Sequence, residues 1–230
     1  MKDKTDKNYN TSNQLCDYNS SREAFAKELL IFWKEISKTS LEGKGCLDIL
    51  TDELQSITPV MPNRVTQAKE FNKLFSSLRL LETSHESSKL FNQLLHEINP
   101  IINWYPNNVY EHPSEAIKRG NYCANLVGKI RDCQRNPFLF NCNDILVGLF
   151  LLGPHNLYPE HKHPASEMWV VLSGQAKWKR GKEEWIRRKA GEYFIHTPNE
   201  SHAMQTFDEP LLAIWAWTGD LDEWAKWSDE

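Results

Sequence analysis

Two histidines and a glutamate fall within seven residues, as His161-x-His163-x3-Glu167, and a third histidine, His202, follows 35 residues later in Ser201-His202-Ala203-Met204. On one strand, residues two apart share a face, so His161 and His163 point the same way. Glu167 follows at a distance that lets the chain bend and return a carboxylate to the same centre. Gly174 supplies a hairpin turn, and Gly191 and Pro198 precede His202. Neutral imidazoles with one carboxylate suit a divalent first-row ion such as Fe, Mn, Co, Ni or Zn. Four protein ligands on an octahedral ion leave two positions for water or substrate, as catalysis requires. Such a spacing needs short strands gathered around one point, which is a small β-barrel.

A lone histidine is usually structural, but five of the eight histidines lie between positions 155 and 202. Three of them meet a two-part spacing with turn glycines in register, so a metal site is expected. His155 and His196 stand outside the pattern. His196, six residues before His202, either lines the cavity or packs beneath it.

The texture of the chain changes near Asn136. Before it, apolar residues recur at helical steps: Phe25, Leu29, Phe32 and Ile36; then Ala68, Phe71, Phe75, Leu78 and Leu81; then Leu90, Leu94, Leu95 and Ile98. The last pattern should stop near Asn99-Pro100, because proline disfavours helical geometry in the residue before it. A further helix is expected around Ser114 to Val127, capped by Ser114. After Asn136, short runs predict strands at 144–152, 157–161, 167–173, 175–179, 184–188, 193–197, 202–206 and 211–217. Turns such as Gly153-Pro154, Ser173-Gly174 and Ala190-Gly191 separate them. The expected organisation is a flexible polar tail over 1–20, a helical region over 21–135, a β-barrel or jelly roll over 136–220, and a short amphipathic helix within 221–230.

Net charge and cysteine usage narrow the partners. A formal charge of −4 argues against a general nucleic-acid binder. Five cysteines without a Cys-x-x-Cys pair read as reduced thiols. The polar N-terminus has no apolar core of a secretory signal, and the run Ile145 to Leu152 is too short to span a bilayer, so the expected location is the cytoplasm.

The pairing His161-x-His163-x3-Glu167-x6-Gly174 followed by Gly191, Pro198 and His202 resembles the two motifs of the cupin superfamily. Its surroundings narrow the match. Val147-Gly148-Leu149 through Leu152-Gly153-Pro154, Tyr158-Pro159, Pro164-Ala165, Gly174 with Trp178, His202-Ala203-Met204, Glu209-Pro210-Leu211-Leu212 and Trp215-Ala216-Trp217-Thr218-Gly219 together resemble the dimethylsulfoniopropionate lyase family of cupins. The resemblance is strongest over about 136–219. It implies an α+β chain with a helical N-terminal half packed on a C-terminal cupin, a double-stranded β-helix or jelly-roll barrel. It also implies a metal-dependent carbon–sulfur lyase that removes the proton α to the substrate carboxylate and releases dimethyl sulfide and acrylate. The ligands of its metal carry over by motif position to His161, His163, Glu167 and His202. Tyr158 matches a tyrosine before the histidine pair, and Trp217 or its neighbour Trp215 falls where the family places a late pocket aromatic. Cupins often dimerise, so a homodimer is one expected assembly.

One position departs from the family. Where the lyases commonly carry a tyrosine two residues after the glutamate ligand, proposed as the base, this chain has Trp169. An indole N–H donates a hydrogen bond but is no base near neutral pH. Tyr158 is then the first candidate for the catalytic base, since a phenol beside a divalent cation can lose its proton more readily. Trp169, Trp178, Trp215, Trp217 and His196 are the candidate substrate-binding residues. Aromatic faces would suit a dimethylsulfonium cation; the plainer reading of each tryptophan is packing, except for Trp169, whose motif position points it at the metal. Two alternatives stay open: a metal-dependent cupin acting on another small carboxylate, as an isomerase, dioxygenase or hydrolase, or a non-catalytic ligand-sensing cupin. The basic run Arg187-Arg188-Lys189 reads as a solvated strand end.

Overall fold

A computed structural model of the chain describes residues 6–60, 69–78, 86–107, 120–129 and 138–227. Its first half holds α1 (Asp6–Thr39), α2 (Lys44–Glu53), β1 (Thr58–Pro59), α3 (Lys69–Ser76), α4 (Glu86–Ile98), a 3-10 turn at Asn99–Ile101, β2 (Trp104–Pro106), β3 (Asn121–Gly128) and β4 (Phe140–Asn141). There follow β5 (Ile145–Leu152), β6 (Leu157–Lys162), β7 (Ala165–Ser173), β8 (Gln175–Arg180), β9 (Ile186–Lys189), β10 (Tyr193–His196), β11 (His202–Thr206), β12 (Leu211–Gly219) and β13 (Lys226–Trp227).

The strands form two sheets. The larger runs β1-β4-β3-β5-β12-β7-β10 with β2 added beside β3, and the smaller runs β13-β6-β11-β8-β9. Alternation sorts the side chains of the larger sheet into two layers. On one face Ile145, Val147, Leu149 and Leu151 of β5, Met168, Val170 and Leu172 of β7, and Leu212, Ile214 and Ala216 of β12 pack against the helices. On the other, Phe150, Trp169, Val171, Ala213, Trp215 and Trp217 meet Tyr158, Trp178 and Met204 of the smaller sheet. The central strands therefore carry apolar side chains on both faces, and the site lies between the sheets.

The helical layer is held by aromatic stacking. Phe91 of α4 lies 5.3 Å from Phe25 and 4.7 Å from Phe32 of α1, ring centre to ring centre, and is fully buried. Truncation to alanine would remove both contacts and leave a cavity, so Phe91→Ala is expected to cost about 3–5 kcal/mol. Urea unfolding monitored by circular dichroism checks this, and a loss below about 1 kcal/mol would mean that the layer repacks around the gap.

Several elements differ from expectation, β1 and β2 among them, since both lie in the region expected to be helical. Helix α1 begins at Asp6, inside the stretch 1–20 expected to be a tail; neither Gly nor Pro interrupts the chain before Gly43, so the helix nucleated by the buried 25–33 face extends backwards. Helix α2 had no assignment. Strand β3 occupies Asn121–Gly128, where a helix was expected to end; all eight residues are buried, and a strand covered on both faces shows no alternation. Ser114, the expected cap, and the boundary at Asn136 lie outside the described residues, as do Ala68 and Leu81. The expected helix near 221–227 is instead an extended segment ending in β13, which pairs with the edge of β6. Two turns of isolated helix are marginal, whereas an open strand edge offers backbone partners directly.

Candidate metal centre

The four expected ligands come from both sheets. His161 on β6 faces His202, the first residue of β11, as a cross-strand pair. Glu167 on β7 is flanked by Trp217 of β12 and His196 of β10. His163 sits just past the end of β6, on the link to β7. All four expected ligands are at most 4% exposed.

The geometry fits a cation. Each of the three histidines uses Nδ1 on a backbone carbonyl: His161 on Pro159 at 2.8 Å, His163 on Ala165 at 3.1 Å and His202 on Glu200 at 2.9 Å. A carbonyl only accepts, so each Nδ1 carries a proton and each Nε2 is the ring nitrogen left to face a metal. Glu167 Oε2 lies 3.3 Å from His163 Nε2 and 3.0 Å from His202 Nε2. The His202 Nε2 is buried there without an aligned hydrogen-bond partner. Ligand atoms of His163, Glu167 and His202 all lie within 4.8 Å of one another. His161 stands beside this trio, its ring centre 4.2 Å from that of His202.

Charge is arranged to match. Burial opposes ionisation of Glu167, yet the adjoining His163 and His202 override it and hold the carboxyl well below the usual carboxylate range. Burial, then repulsion from His202, pushes the His161 imidazole well below the ordinary histidine value, so it stays neutral. A second group, Glu53, Cys142 and Asp144, is less suitable. Burial pushes the Cys142 thiol up, and a protonated thiol is a poor ligand.

A bulge completes the site. Along β6 and β11 the pairing shifts between His202↔His161 and Met204↔Tyr158, leaving an extra residue on β6. A bulge re-aims side chains, and here Tyr158 and His161, three apart, are both buried on the inner side with ring centres 4.6 Å apart. Pro159 lies in the bulge, where its missing N–H costs no ladder bond.

The pocket over this centre is lined by Tyr105, Asn107, Cys123, Phe150, Tyr158, His161, Glu167, Trp169, Trp215, Trp217, Trp224 and Ala225. Seven are Phe, Tyr or Trp, and no Lys or Arg is present. Trp215 reaches the wall because Gly148 leaves room: a Cβ there would sit 2.4 Å from the indole Cζ2. The Trp169 N–H is buried without a partner. Trp217 Nε1–H donates to Glu167 Oε1 at 2.6 Å, and its ring centre lies 4.1 Å from that of His163.

Two candidate substrate contacts stand behind the wall. Trp178 packs between Trp169 at 5.1 Å and Phe194 at 4.6 Å. His196 stacks nearly parallel on His202, 4.1 Å away at 7°, with its Nδ1 3.9 Å from Glu200 Oε2. Burial, then His202, holds His196 well below the ordinary histidine value. Sequence reasoning missed Tyr105, Asn107 and Trp224. The first two lie in or beside a three-residue strand, and Trp224 was assigned to a helix. Their one signal is the run Trp104-Tyr105-Pro106-Asn107, apolar and aromatic outside any helical period.

The comparisons with known proteins agree with this architecture. The family model for dimethylsulfoniopropionate lyase matches residues 54–213, more than half of the chain. A curated relative, dimethylsulfoniopropionate lyase DddQ from Ruegeria pomeroyi, is 33% identical over 101 residues, a stretch covering 44% of this chain and 46% of the relative. The match thus spans less than half of that relative's length. Among solved structures, DddQ from Ruegeria pomeroyi aligns with a TM-score of 0.69 at 19% identity, covering 90% of this chain and 96% of that one. A structure reported with the lyases RdDddP and RnDddQII aligns at 0.65 and 19% identity, covering 91% of this chain and 100% of that one. These two likenesses establish the cupin fold, and the family match over residues 54–213 establishes that the chain belongs to the dimethylsulfoniopropionate lyase family.

Proposed function

We propose that the chain is a metal-dependent lyase that cleaves dimethylsulfoniopropionate to dimethyl sulfide and acrylate. The observation that carries the reading is the aromatic pocket set directly on His161 and Glu167. His161, His163, Glu167 and His202 would hold one divalent transition-metal ion. When bound, such an ion supplies Lewis-acid stabilisation for the negative charge that develops on the substrate carboxylate. The rest of the chemistry falls to side chains.

Three groups in the pocket could take the α-proton, and their partners separate them. Burial, and next the Glu167 charge, push the Cys123 thiol up, so it stays protonated. The Tyr105 hydroxyl donates to Asn125 Oδ1 at 2.9 Å and thereby keeps its proton engaged. Tyr158 instead accepts an N–H from Asn107 Nδ2 at 3.2 Å, a contact that favours a negative oxygen. As the phenolate, Tyr158 takes the proton from Cα; that electron pair forms the Cα–Cβ double bond, and the Cβ–S bond breaks with its electrons on sulfur. Dimethyl sulfide leaves neutral and acrylate keeps the carboxylate. The Trp169 N–H, buried and unpartnered in the pocket wall, suits a hydrogen bond to that carboxylate. The faces of Trp215, Trp217 and Trp224 suit the sulfonium.

No helix among the described residues is long and apolar enough to cross a membrane. A small-molecule substrate acted on in the cytoplasm, with a homodimer as the assembly, completes the reading. Headspace dimethyl sulfide released from dimethylsulfoniopropionate by the metal-loaded protein tests it. Clear, enzyme-dependent release is expected. No release with any of Fe, Mn, Co, Ni or Zn would overturn the reading and turn the search to other small carboxylates.

A further inference from the structure

We propose that Trp217 is a positioning residue of the metal centre, whose indole N–H holds Glu167 in the one orientation that turns Oε2 toward the histidines. The inference rests on the metal reading above and concerns how that centre is built.

The two oxygens of Glu167 have different partners. Oε1 accepts the Trp217 Nε1–H at 2.6 Å, while Oε2 lies 3.3 Å from His163 Nε2 and 3.0 Å from His202 Nε2. The short contact is a charge-assisted hydrogen bond between groups at most 5% exposed. Register enforces it, because Trp217 on β12 lies directly opposite Glu167 on β7. The same indole covers His163, ring centres 4.1 Å apart at 30°. One side chain therefore touches two of the expected ligands.

Tryptophan suits this task chemically. Its N–H only donates, so it cannot compete for a cation, and its neutral ring adds no charge to repel one. A lysine or arginine in its place would bring a positive charge against the ion. Without the N–H, Oε1 would be buried without its donor and the carboxylate could turn. Loss of such an outer partner typically costs about 10–100-fold in metal affinity.

The test uses Co2+ as the probe, read by calorimetry and by the visible absorption of the loaded protein. Trp217→Phe keeps a flat apolar ring and removes the donor. The variant is expected to fold, to bind Co2+ about 10–100-fold more weakly, and to shift the visible band. Added to Glu167→Gln, it should cost nothing beyond Glu167→Gln alone, because its effect runs through that carboxylate. Wild-type affinity and spectrum in Trp217→Phe, or an undiminished loss on the Glu167→Gln background, would overturn the assignment. If Trp217→Phe does not fold, 15N-labelled indole resonances decide. One N–H proton should lie far downfield in the wild type and move upfield in Glu167→Gln, and no such movement would overturn the inference. A wild type that binds no Co2+ would remove the metal centre and this role together. Normal Co2+ binding by both the wild type and Trp217→Phe would remove only the role of Trp217.

Discussion

His163→Ala is expected to abolish bound metal and lyase turnover together. The side chain of this expected ligand is tied into the site at three points. Its Nδ1 is spent on the Ala165 carbonyl, its Nε2 lies 3.3 Å from Glu167, and its ring rests on Trp217. The substitution removes a ligand and also the first of the groups that keep the buried Glu167 ionised. Because outer partners alone are worth about 10–100-fold in metal affinity, loss of this direct ligand should exceed the upper figure. Metal content by mass spectrometry, circular dichroism and headspace dimethyl sulfide, measured on one preparation, separate a lost site from a lost fold. Folded, metal-free His163→Ala with full activity would sink the metal-dependent mechanism.

The strand half was legible because its punctuation is strong. Gly153-Pro154, Ser173-Gly174 and Ala190-Gly191 bracket runs that alternate or stay apolar, and the eight strands from β5 to β12 begin and end within a few residues of expectation. The histidine and glutamate spacing was legible for the same reason, since fixed turns carry separated residues to one end of the sandwich. What escaped depends on tertiary context. Strand β3 is buried on both faces, so Tyr122, Ala124, Leu126 and their neighbours show no alternation to distinguish them from helix. The segment at 221–227 is amphipathic at helical period, yet Asp220 Oδ1 caps the Asp222 N–H and turns the chain, and Trp227 then pairs beside His161. Helical spacing thus described a segment whose conformation is decided by an open strand edge.

The pocket was legible only in part. Trp169, Trp215 and Trp217 occupy inward positions that follow from strand parity once Glu167 is known to face inward. Trp178 also faces inward but packs against Trp169 and Phe194, a distinction of depth that parity does not carry. Asn107 reaches Tyr158 across 51 residues of sequence, and no local pattern announces such a contact. The bulge at Pro159 left a trace: a proline within an otherwise paired strand marks a break in the ladder. That break brings Tyr158 into the site.

Tyr158→Phe is accordingly expected to lower turnover by about two orders of magnitude or more while the metal stays bound. The substitution removes one oxygen and keeps the ring, so the contacts to Phe150 at 5.1 Å, His161 at 4.6 Å and Trp227 at 6.0 Å survive. Metal content and the circular dichroism spectrum should match the wild type. An effect on kcat with little change in KM would locate the loss in the proton transfer. The Asn107 contact adds a second reading of the same step. Asn107→Ala removes the N–H that favours the phenolate, so it should slow turnover less than Tyr158→Phe and add nothing on top of it. If Tyr158→Phe turns over at the wild-type rate, the phenol is not the base. Since burial keeps Cys123 protonated, Tyr105 would then be the next oxygen to test, and its bond to Asn125 would have to break on substrate binding.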